Sequence, residues 1–206
     1  MENIVTLTHR STHYFLVDLG HGKLMVDAGW PGSLPALKSQ LRGYRIEPPE
    51  IKFVLITHAH PDHAGLAQEV KRLTGARLIL HEQQIPFLPR LEASLKSKGG
   101  YVPIVVEPAD VVLTASNRAV LERLGIHGEV VETPGHSDDS VSLMLDSGPC
   151  FVGDLHLPQY AGSEPAAALS RASWQKLLEH GAKTFYPAHS GPFAASAVEQ
   201  ALSESG

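Results

Sequence analysis

The residues of this chain that are best able to do chemistry lie in one short stretch, HAHPDH, at positions 58–63. It supplies His58, His60, Asp62 and His63. Imidazole and carboxylate groups are the ligands that zinc and similar divalent metals prefer. Three neighbouring histidines without a metal would repel one another when protonated and need separate partners when buried. The stretch therefore predicts a metal site, although Asp62 alone would also suit a helix cap.

One loop cannot easily complete a metal site, so more ligands are expected from elsewhere in the chain. Three further segments share a pattern in which a short strand-like run ends at a histidine or an aspartate. These residues are His136, Asp154 and His189, after runs at 129–133, 150–153 and 185–186. Each of them alone is more often a structural or turn residue. Their recurrence beside HAHPDH favours a shared metal centre.

Strands must position these groups, and the apolar run Ile51–Ile56 predicts a buried strand directly before the histidines. Pro61 favours an extended backbone at His60. If the strand continues through the loop, His58 and His60 point to the same side, because strand side chains alternate. Such strand ends are common places for binding sites in α/β sheets.

The remaining pattern is typical of one α/β domain with a mixed sheet arrangement. No repeat, linker or shift in composition divides the chain, so residues 1–206 are predicted to form a single domain. The further predicted elements are a hairpin at 14–18 and 24–27, strands at 76–80, 111–113, 140–145 and 184–186, and helices at 33–42, 64–73, 166–180 and 194–203.

Composition narrows the expected partners. The 206 residues carry a formal net charge of −5 and no tract rich in lysine and arginine, so binding to nucleic acid is not expected. A small-molecule substrate is expected instead. No stretch is apolar and long enough to span a bilayer. The first residues lack the apolar core of a signal peptide, so a cytoplasmic location is expected. The single cysteine, Cys150, is predicted to be buried, and the oligomeric state stays open.

A known family shares these motifs. In this order, HAHPDH, TPGH, VGD and YPAH resemble the motifs of metallo-β-lactamase-fold hydrolases, and VDAG at 26–29 resembles the motif that precedes their metal loop. The resemblance runs from the Tyr14 strand to the His189 loop. It implies an α/β fold, an αββα sandwich of two mixed β-sheets with helices on the outer faces. The ligand set is similar to that of glyoxalase II, here in a single domain.

Residue roles follow from that resemblance. It implies a first metal on His58, His60 and His136, a second on Asp62, His63 and His189, and Asp154 between both. The two ions are expected to be Zn²⁺, with iron or manganese as alternatives. Asp27 would support the metal loop through hydrogen bonds. Asp138 and Asp139 replace a Pro-Gly pair that many relatives have, and would either add negative charge near the pocket or shape a turn.

The predicted reaction is hydrolysis of an ester-like bond: a thioester, a lactone or another carboxylic ester. Two metals about 3.5–4 Å apart can deprotonate a bridging water and polarise the attacked carbonyl. Asp62, His136 and Asp154 are the predicted catalytic residues, and Asp62 would also steer the proton of that water. His156 and Tyr160 are candidate substrate contacts, because both follow Asp154 closely.

Three other functions are compatible with this ligand set: a phosphodiesterase or nuclease, a mononuclear iron dioxygenase acting on persulfides, and a binding module that keeps its metals without catalysis. The β-lactamases of this fold with two zinc ions usually carry cysteine at the position of Asp154, so that activity is not expected. Substrate choice is expected to depend on residues 84–108, a candidate lid, and 155–170, which carry no decisive motif.

Overall fold

The structure, a computed structural model, describes residues 3–96, 99–162 and 164–204. The chain separates into two compact units, Met1–Thr114 and Ala115–Gly206. They are called the amino-terminal and the carboxy-terminal unit, and each contains one sheet. The single domain over residues 1–206 stays a prediction. Within the described ranges, no helix combines the length and the apolar character needed to cross a membrane.

The sheet of the amino-terminal unit is mixed. Within the described residues it has six strands in the spatial order β1-β2-β3-β4-β5-β6. The pairs β1–β2 and β2–β3 are antiparallel, and the following pairs are parallel. The strands are β1 (Ile4–His9), β2 (Thr12–Asp18), β3 (Lys23–Val26), β4 (Ile51–Leu55), β5 (Arg77–His81) and β6 (Val111–Leu113).

Helices complete this unit. They are α1 (Leu34–Gly43), α2 (Pro61–Ala64), α3 (Ala67–Thr74) and α4 (Leu88–Leu95), together with 3₁₀ turns at Pro48–Glu50 and Glu82–Phe87. The helix predicted over 64–73 is in fact divided between α2 and α3. The division has a local cause, because the Leu66 N–H donates to the Gly29 carbonyl at 3.0 Å instead of continuing α2. Gly75 then ends α3 in the left-handed conformation.

The carboxylate of Asp110 ties α3, β5 and the loop before β6 together. Its side chain is 1% exposed, accepts N–H bonds from Leu78 and Glu107 at 2.8 Å, and lies 2.5 Å from the Lys71 ammonium. Burial alone would raise the pKa of Asp110, but the Glu107 N–H and the Lys71 ammonium outweigh it and lower that pKa. The charged form of Asp110 therefore stabilises the folded unit.

Asp110→Asn is expected to lower the free energy of unfolding by about 2–4 kcal/mol at pH 7, because a buried ion pair loses one partner. Because folding lowers the pKa of Asp110, its contribution is present above its unfolded pKa of about 3.9 and is lost as pH falls through the folded value. Urea unfolding at pH 7 and pH 3 measures this. The control is Asp146→Asn, whose 47% exposed side chain pairs with Arg118 and should contribute under about 1 kcal/mol. Equal losses from both variants would contradict the prediction.

The sheet of the carboxy-terminal unit is also mixed. Its five strands, counted over the described residues, have the order β11-β10-β9-β8-β7, and only the β9–β10 pair is parallel. The elements are β7 (Gly128–Glu132), β8 (Val141–Leu145), β9 (Pro149–Gly153), β10 (Thr184–Pro187), β11 (Phe193–Ala194), α5 (Arg118–Arg123), α6 (Glu164–Glu179), α7 (Ala195–Glu204) and a 3₁₀ turn at Pro158–Tyr160.

An aromatic cluster forms the core of this unit. Trp174 of α6 and Phe185 of β10 are fully buried, with ring centroids 4.8 Å apart, and Phe193 lies 6.0 Å from Trp174. Cys150 is buried in the same core, as predicted, and burial raises the pKa of its thiol. Two mixed sheets with accompanying helices confirm the predicted α/β fold class. The strands β1 and β11 and the helices α4 and α5 were not predicted.

Candidate metal centre

The HAHPDH loop of the amino-terminal unit gathers its four candidate ligands closely. Strand β4 ends at Leu55, and His60 precedes α2 in the extended conformation predicted from Pro61. The ring of His58 lies 4.5 Å from that of His60 and 4.0 Å from that of His63, measured between centroids. Asp62 Oδ2 lies 3.5 Å from His63 Nε2. The strand does not continue through the loop, but the histidines still converge.

Asp27 orients two of these histidines. Its carboxylate is 2% exposed and accepts bonds from the Thr57 N–H and hydroxyl, both at 2.8 Å. Oδ2 also lies 2.7 Å from His63 Nδ1. The Thr57 hydroxyl donates its hydrogen bond to Asp27. The Thr57 oxygen is therefore left to accept a hydrogen bond from His58 Nδ1, at 3.1 Å. Both rings therefore keep the Nδ1 proton and present Nε2, as metal-binding histidines do.

The backbone around Asp27 holds this arrangement. Asp27 has a φ of 60°, a left-handed conformation that aspartate tolerates better than most residues. The N–H groups of Ala28 and Gly29 then both point to the His63 carbonyl, at 2.8 and 3.3 Å. The role of Asp27 as a support of the metal loop stays a prediction, and these contacts are the geometry that it requires.

Three polar side chains that the sequence did not single out also hold the loop. Thr12 donates its hydroxyl proton to Asp62 Oδ2 at 3.1 Å. The buried amide of Gln84 donates to the carbonyls of Ile56 and Thr57 at 2.9 and 3.0 Å. Thr57 bonds Asp27, as described. Only Thr57, which stands directly before His58, carried a signal in the sequence that could have identified it.

The carboxy-terminal unit forms a second cluster around Asp154. Its carboxylate lies 3.5 Å from His136 Nε2 and 3.2 Å from His189 Nε2, with its side chain 7% exposed. The contact between Asp154 and His189 follows from the parallel pairing of β9 with β10. The Ala188 N–H donates to the Gly153 carbonyl at 2.9 Å, and this bond places the two residues that follow, His189 and Asp154, side by side. Each candidate ligand follows a strand end, as predicted.

Helix α6 fixes both loops of this cluster. The Ser173 hydroxyl donates to the Pro134 carbonyl at 2.7 Å, while Ser170 and the Trp174 indole N–H both donate to the His156 carbonyl, the indole at 2.9 Å. Gly135 has a φ of 146°, and a Cβ there would lie only 3.0 Å from the backbone of Ser170. The loop before His136 thus packs directly on α6, which requires glycine at this position.

The other predicted site residues of this unit lie nearby. The His156 ring stands 5.5 Å from that of His136, edge to face. His156 and the 72% exposed Tyr160 line the same cavity as Asp154. Of the two aspartates that replace Pro-Gly, Asp139 is buried and accepts a bond from the Ser137 hydroxyl at 2.8 Å. Asp139 therefore shapes a turn, whereas Asp138 is exposed.

The candidate lid at 84–108 includes α4, but Ser97 and Lys98 lie outside the described residues, as does Ser163 of the segment 155–170. In the amino-terminal unit a cavity of about 330 Å³ lies between Arg10, Trp30, Pro31, Leu95 and Gly99. The Arg10 guanidinium stacks on the Trp30 ring, 5.2 Å from its centroid.

Each cluster suits a divalent cation in its chemistry. The donors are imidazole nitrogens and carboxylate oxygens, which bind zinc, iron and manganese. Within the amino-terminal unit, donor atoms of His58 and His60 lie within 4.8 Å of one another, as do those of Asp62 and His63. Within the carboxy-terminal unit the same holds for Asp154 with His136 and with His189. The tautomers of His58 and His63 are already the ones that a metal needs.

Comparison with known proteins agrees with this chemistry. The family model of the metallo-beta-lactamase superfamily matches residues 7–189. The beta-lactamase-like protein 2 homolog of Drosophila melanogaster is 26% identical over 190 residues, which cover 91% of this chain and 61% of that protein. A hydroxyacylglutathione hydrolase of Cereibacter sphaeroides is 28% identical over 178 residues, which cover 84% of this chain and 59% of that enzyme. The chain thus spans about three fifths of the length of these relatives.

Among solved structures, the BLEG-1 B3 metallo-beta-lactamase superimposes with a TM-score of 0.70. It is 24% identical, and the match covers 95% of both chains. This likeness concerns the fold, and it agrees with the two mixed sheets and helices described above.

Proposed function

Because the chain belongs to the metallo-beta-lactamase superfamily, we propose that it is a hydrolase that uses two divalent metal ions, most often zinc, to cleave an ester-like bond. Thioesters, lactones and other carboxylic esters are the substrate classes. The observation that carries this proposal is the pair of histidine and aspartate clusters, one in each unit, whose donor groups are those that divalent metals prefer. Water would split the substrate into a carboxylic acid and an alcohol or thiol.

The proposed ligand sets are those that the resemblance to the family implies. His58, His60 and His136 would hold one ion, and Asp62, His63 and His189 would hold the other. Asp154 would serve both ions, since a carboxylate has two oxygens. When bound, such ions lower the pKa of water and polarise the carbonyl that is attacked.

The chain's own residues have three tasks in this proposal. Asp27 holds His58 and His63 in the tautomer that leaves Nε2 for the metal. Asp62 accepts a hydrogen bond from the Thr12 hydroxyl. In the reaction it receives the proton of the attacking water. His156 and Tyr160 contact the substrate from the cavity beside Asp154.

Metal analysis together with a substrate panel tests the proposal. The protein is purified without added metal, its zinc, iron and manganese are quantified, and an ester, a thioester, a lactone and a phosphodiester are offered. We expect two metal ions per chain, predominantly zinc, and turnover of at least one carboxylic ester or thioester. Removing the metals with a chelator should abolish that turnover, and restoring zinc should recover it.

Other results would each point elsewhere. One iron per chain with oxygen consumption on glutathione persulfide would replace the hydrolase by a dioxygenase. Turnover of the phosphodiester alone would make the protein a phosphodiesterase. Two bound metals without turnover of any substrate would favour a binding module. Full activity in metal-free protein would overturn the metal-dependent reaction itself.

A further inference from the structure

The carboxy-terminal unit contains a cavity of about 260 Å³ whose walls differ sharply in character. Its polar lining consists of two candidate metal ligands, Asp154 and His189, together with His156 and Ser190. The larger side chains of the lining are apolar or aromatic. They are those of Leu155, Leu157, Tyr160, Pro187 and Phe193. Among the described residues that line the cavity, none is a lysine or an arginine.

The apolar walls are held in place by the core beneath them. Phe193 packs against Trp174 and Phe185, with centroid distances of 6.0 and 5.8 Å. Leu157 packs on the same core cluster. The backbone between these walls is anchored where the His156 carbonyl accepts the Trp174 indole N–H at 2.9 Å. A cavity built in this way is largely formed before its ligand arrives.

We propose that this cavity binds a short, uncharged apolar group of the substrate, next to the bond that is cleaved. The inference rests on the proposed hydrolase function and deepens it by naming the substrate class: esters or thioesters of small aliphatic or aromatic groups. Leu157, Tyr160 and Phe193 are the specificity-determining residues.

Charge and size both favour this class. Beside Leu157, Tyr160 and Phe193 an anionic substituent would meet no lysine or arginine among the described lining residues, and burying an unpaired charge is costly. The volume of about 260 Å³ lies just below the usual range for sites that hold drug-sized ligands, about 300–1,000 Å³. A short chain or a single ring fits within this volume.

Two series of esters test the inference on metal-loaded protein. In one, the acyl group grows from acetyl to butanoyl to hexanoyl on a constant p-nitrophenyl leaving group. In the other, acetate esters carry methyl, butyl and hexyl alcohols. Burial of apolar surface should raise kcat/KM about fourfold per methylene in one of the series, until the cavity is filled. The series that responds identifies which side of the bond enters the cavity.

Variants of the cavity provide the second arm. Leu157→Ala and Tyr160→Ala should each lower the ratio of kcat/KM for the longest to that for the shortest ester at least about fivefold, by removing apolar contact. Tyr160 is 72% exposed, so its replacement should not affect folding. The matched control is Tyr44→Ala, an exposed tyrosine of the amino-terminal unit, which should leave the ratio unchanged. Unchanged ratios in both cavity variants would overturn the inference.

Direct binding separates this inference from the proposed function. Calorimetry with hexanoate, hexanol and the corresponding two-carbon compounds measures the cavity without any turnover. If no ester is hydrolysed but a six-carbon ligand binds at least about tenfold more tightly than its two-carbon counterpart, and Leu157→Ala removes the difference, the hydrolase proposal fails and the cavity assignment stands. If esters are hydrolysed at rates that do not depend on chain length, the function stands and the cavity assignment fails.

Discussion

Asp154→Ala is expected to abolish hydrolysis while the protein stays folded. The Asp154 carboxylate faces His136 Nε2 at 3.5 Å and His189 Nε2 at 3.2 Å, and it is the one proposed ligand shared by both ions. Losing several kcal/mol of metal-derived transition-state stabilisation corresponds to a fall in kcat/KM of at least about 10³-fold. Steady-state rates on the best ester of the panel, with metal content measured on the same sample, provide the test.

Two comparisons make the Asp154 result specific. His136→Ala should cause a loss of similar size, because it removes a ligand from the same cluster. Asp146→Ala removes an aspartate of the same unit that pairs with Arg118 and should keep the wild-type rate. Circular dichroism and urea unfolding establish that each variant is folded. Wild-type kcat/KM in folded Asp154→Ala protein would exclude Asp154 from the reaction.

Asp27→Asn is expected to weaken metal binding about 10–100-fold, the usual effect of losing a group that orients metal ligands. Three donors meet the Asp27 carboxylate: the Thr57 N–H, the Thr57 hydroxyl and His63 Nδ1. An amide has one oxygen, so in either orientation its NH₂ group faces a donor. The mismatch in a buried site should also cost about 1–3 kcal/mol of folding stability.

The choice of asparagine separates side-chain chemistry from backbone strain, because asparagine also tolerates the left-handed conformation of residue 27. Competition with a chelator measures metal affinity, and urea unfolding of metal-free protein measures stability. Asp18→Asn is the control: this aspartate accepts bonds from Gly20 and Lys23 at the surface of the same unit, and its replacement should leave metal affinity unchanged. Equal metal affinity in Asp27→Asn and wild-type protein would refute the orienting role.

The ligand positions could be predicted because each follows a strand end, where an apolar run stops and a turn begins. The runs before His58, His136, Asp154 and His189 all contain β-strand formers, and all four form strands. Local sequence records this boundary, since buried strands need apolar side chains and the loops after them do not. The same reasoning gave the extended backbone of His60 from the proline that follows it.

The remaining features depend on contacts between residues far apart in the chain, which no local pattern records. Gln84 bonds carbonyls 27 and 28 positions away, and Thr12 bonds Asp62 at a separation of 50. The break between α2 and α3 comes from the bond between Leu66 and Gly29. Strand β11 has only two residues and exists through its pairing with β10. Tertiary partners determine all of these, so sequence reasoning missed them.

The indole of Trp174 is an intrinsic fluorescent reporter of the loop that follows Asp154. Its N–H bonds the His156 carbonyl, two residues after Asp154, so a change in that loop alters the polarity and hydrogen bonding around a fluorophore. The chain has only one other tryptophan, Trp30. In a Trp30→Phe protein all tryptophan emission would therefore come from Trp174, and occupancy of the carboxy-terminal cluster could be followed by tryptophan fluorescence without an attached dye.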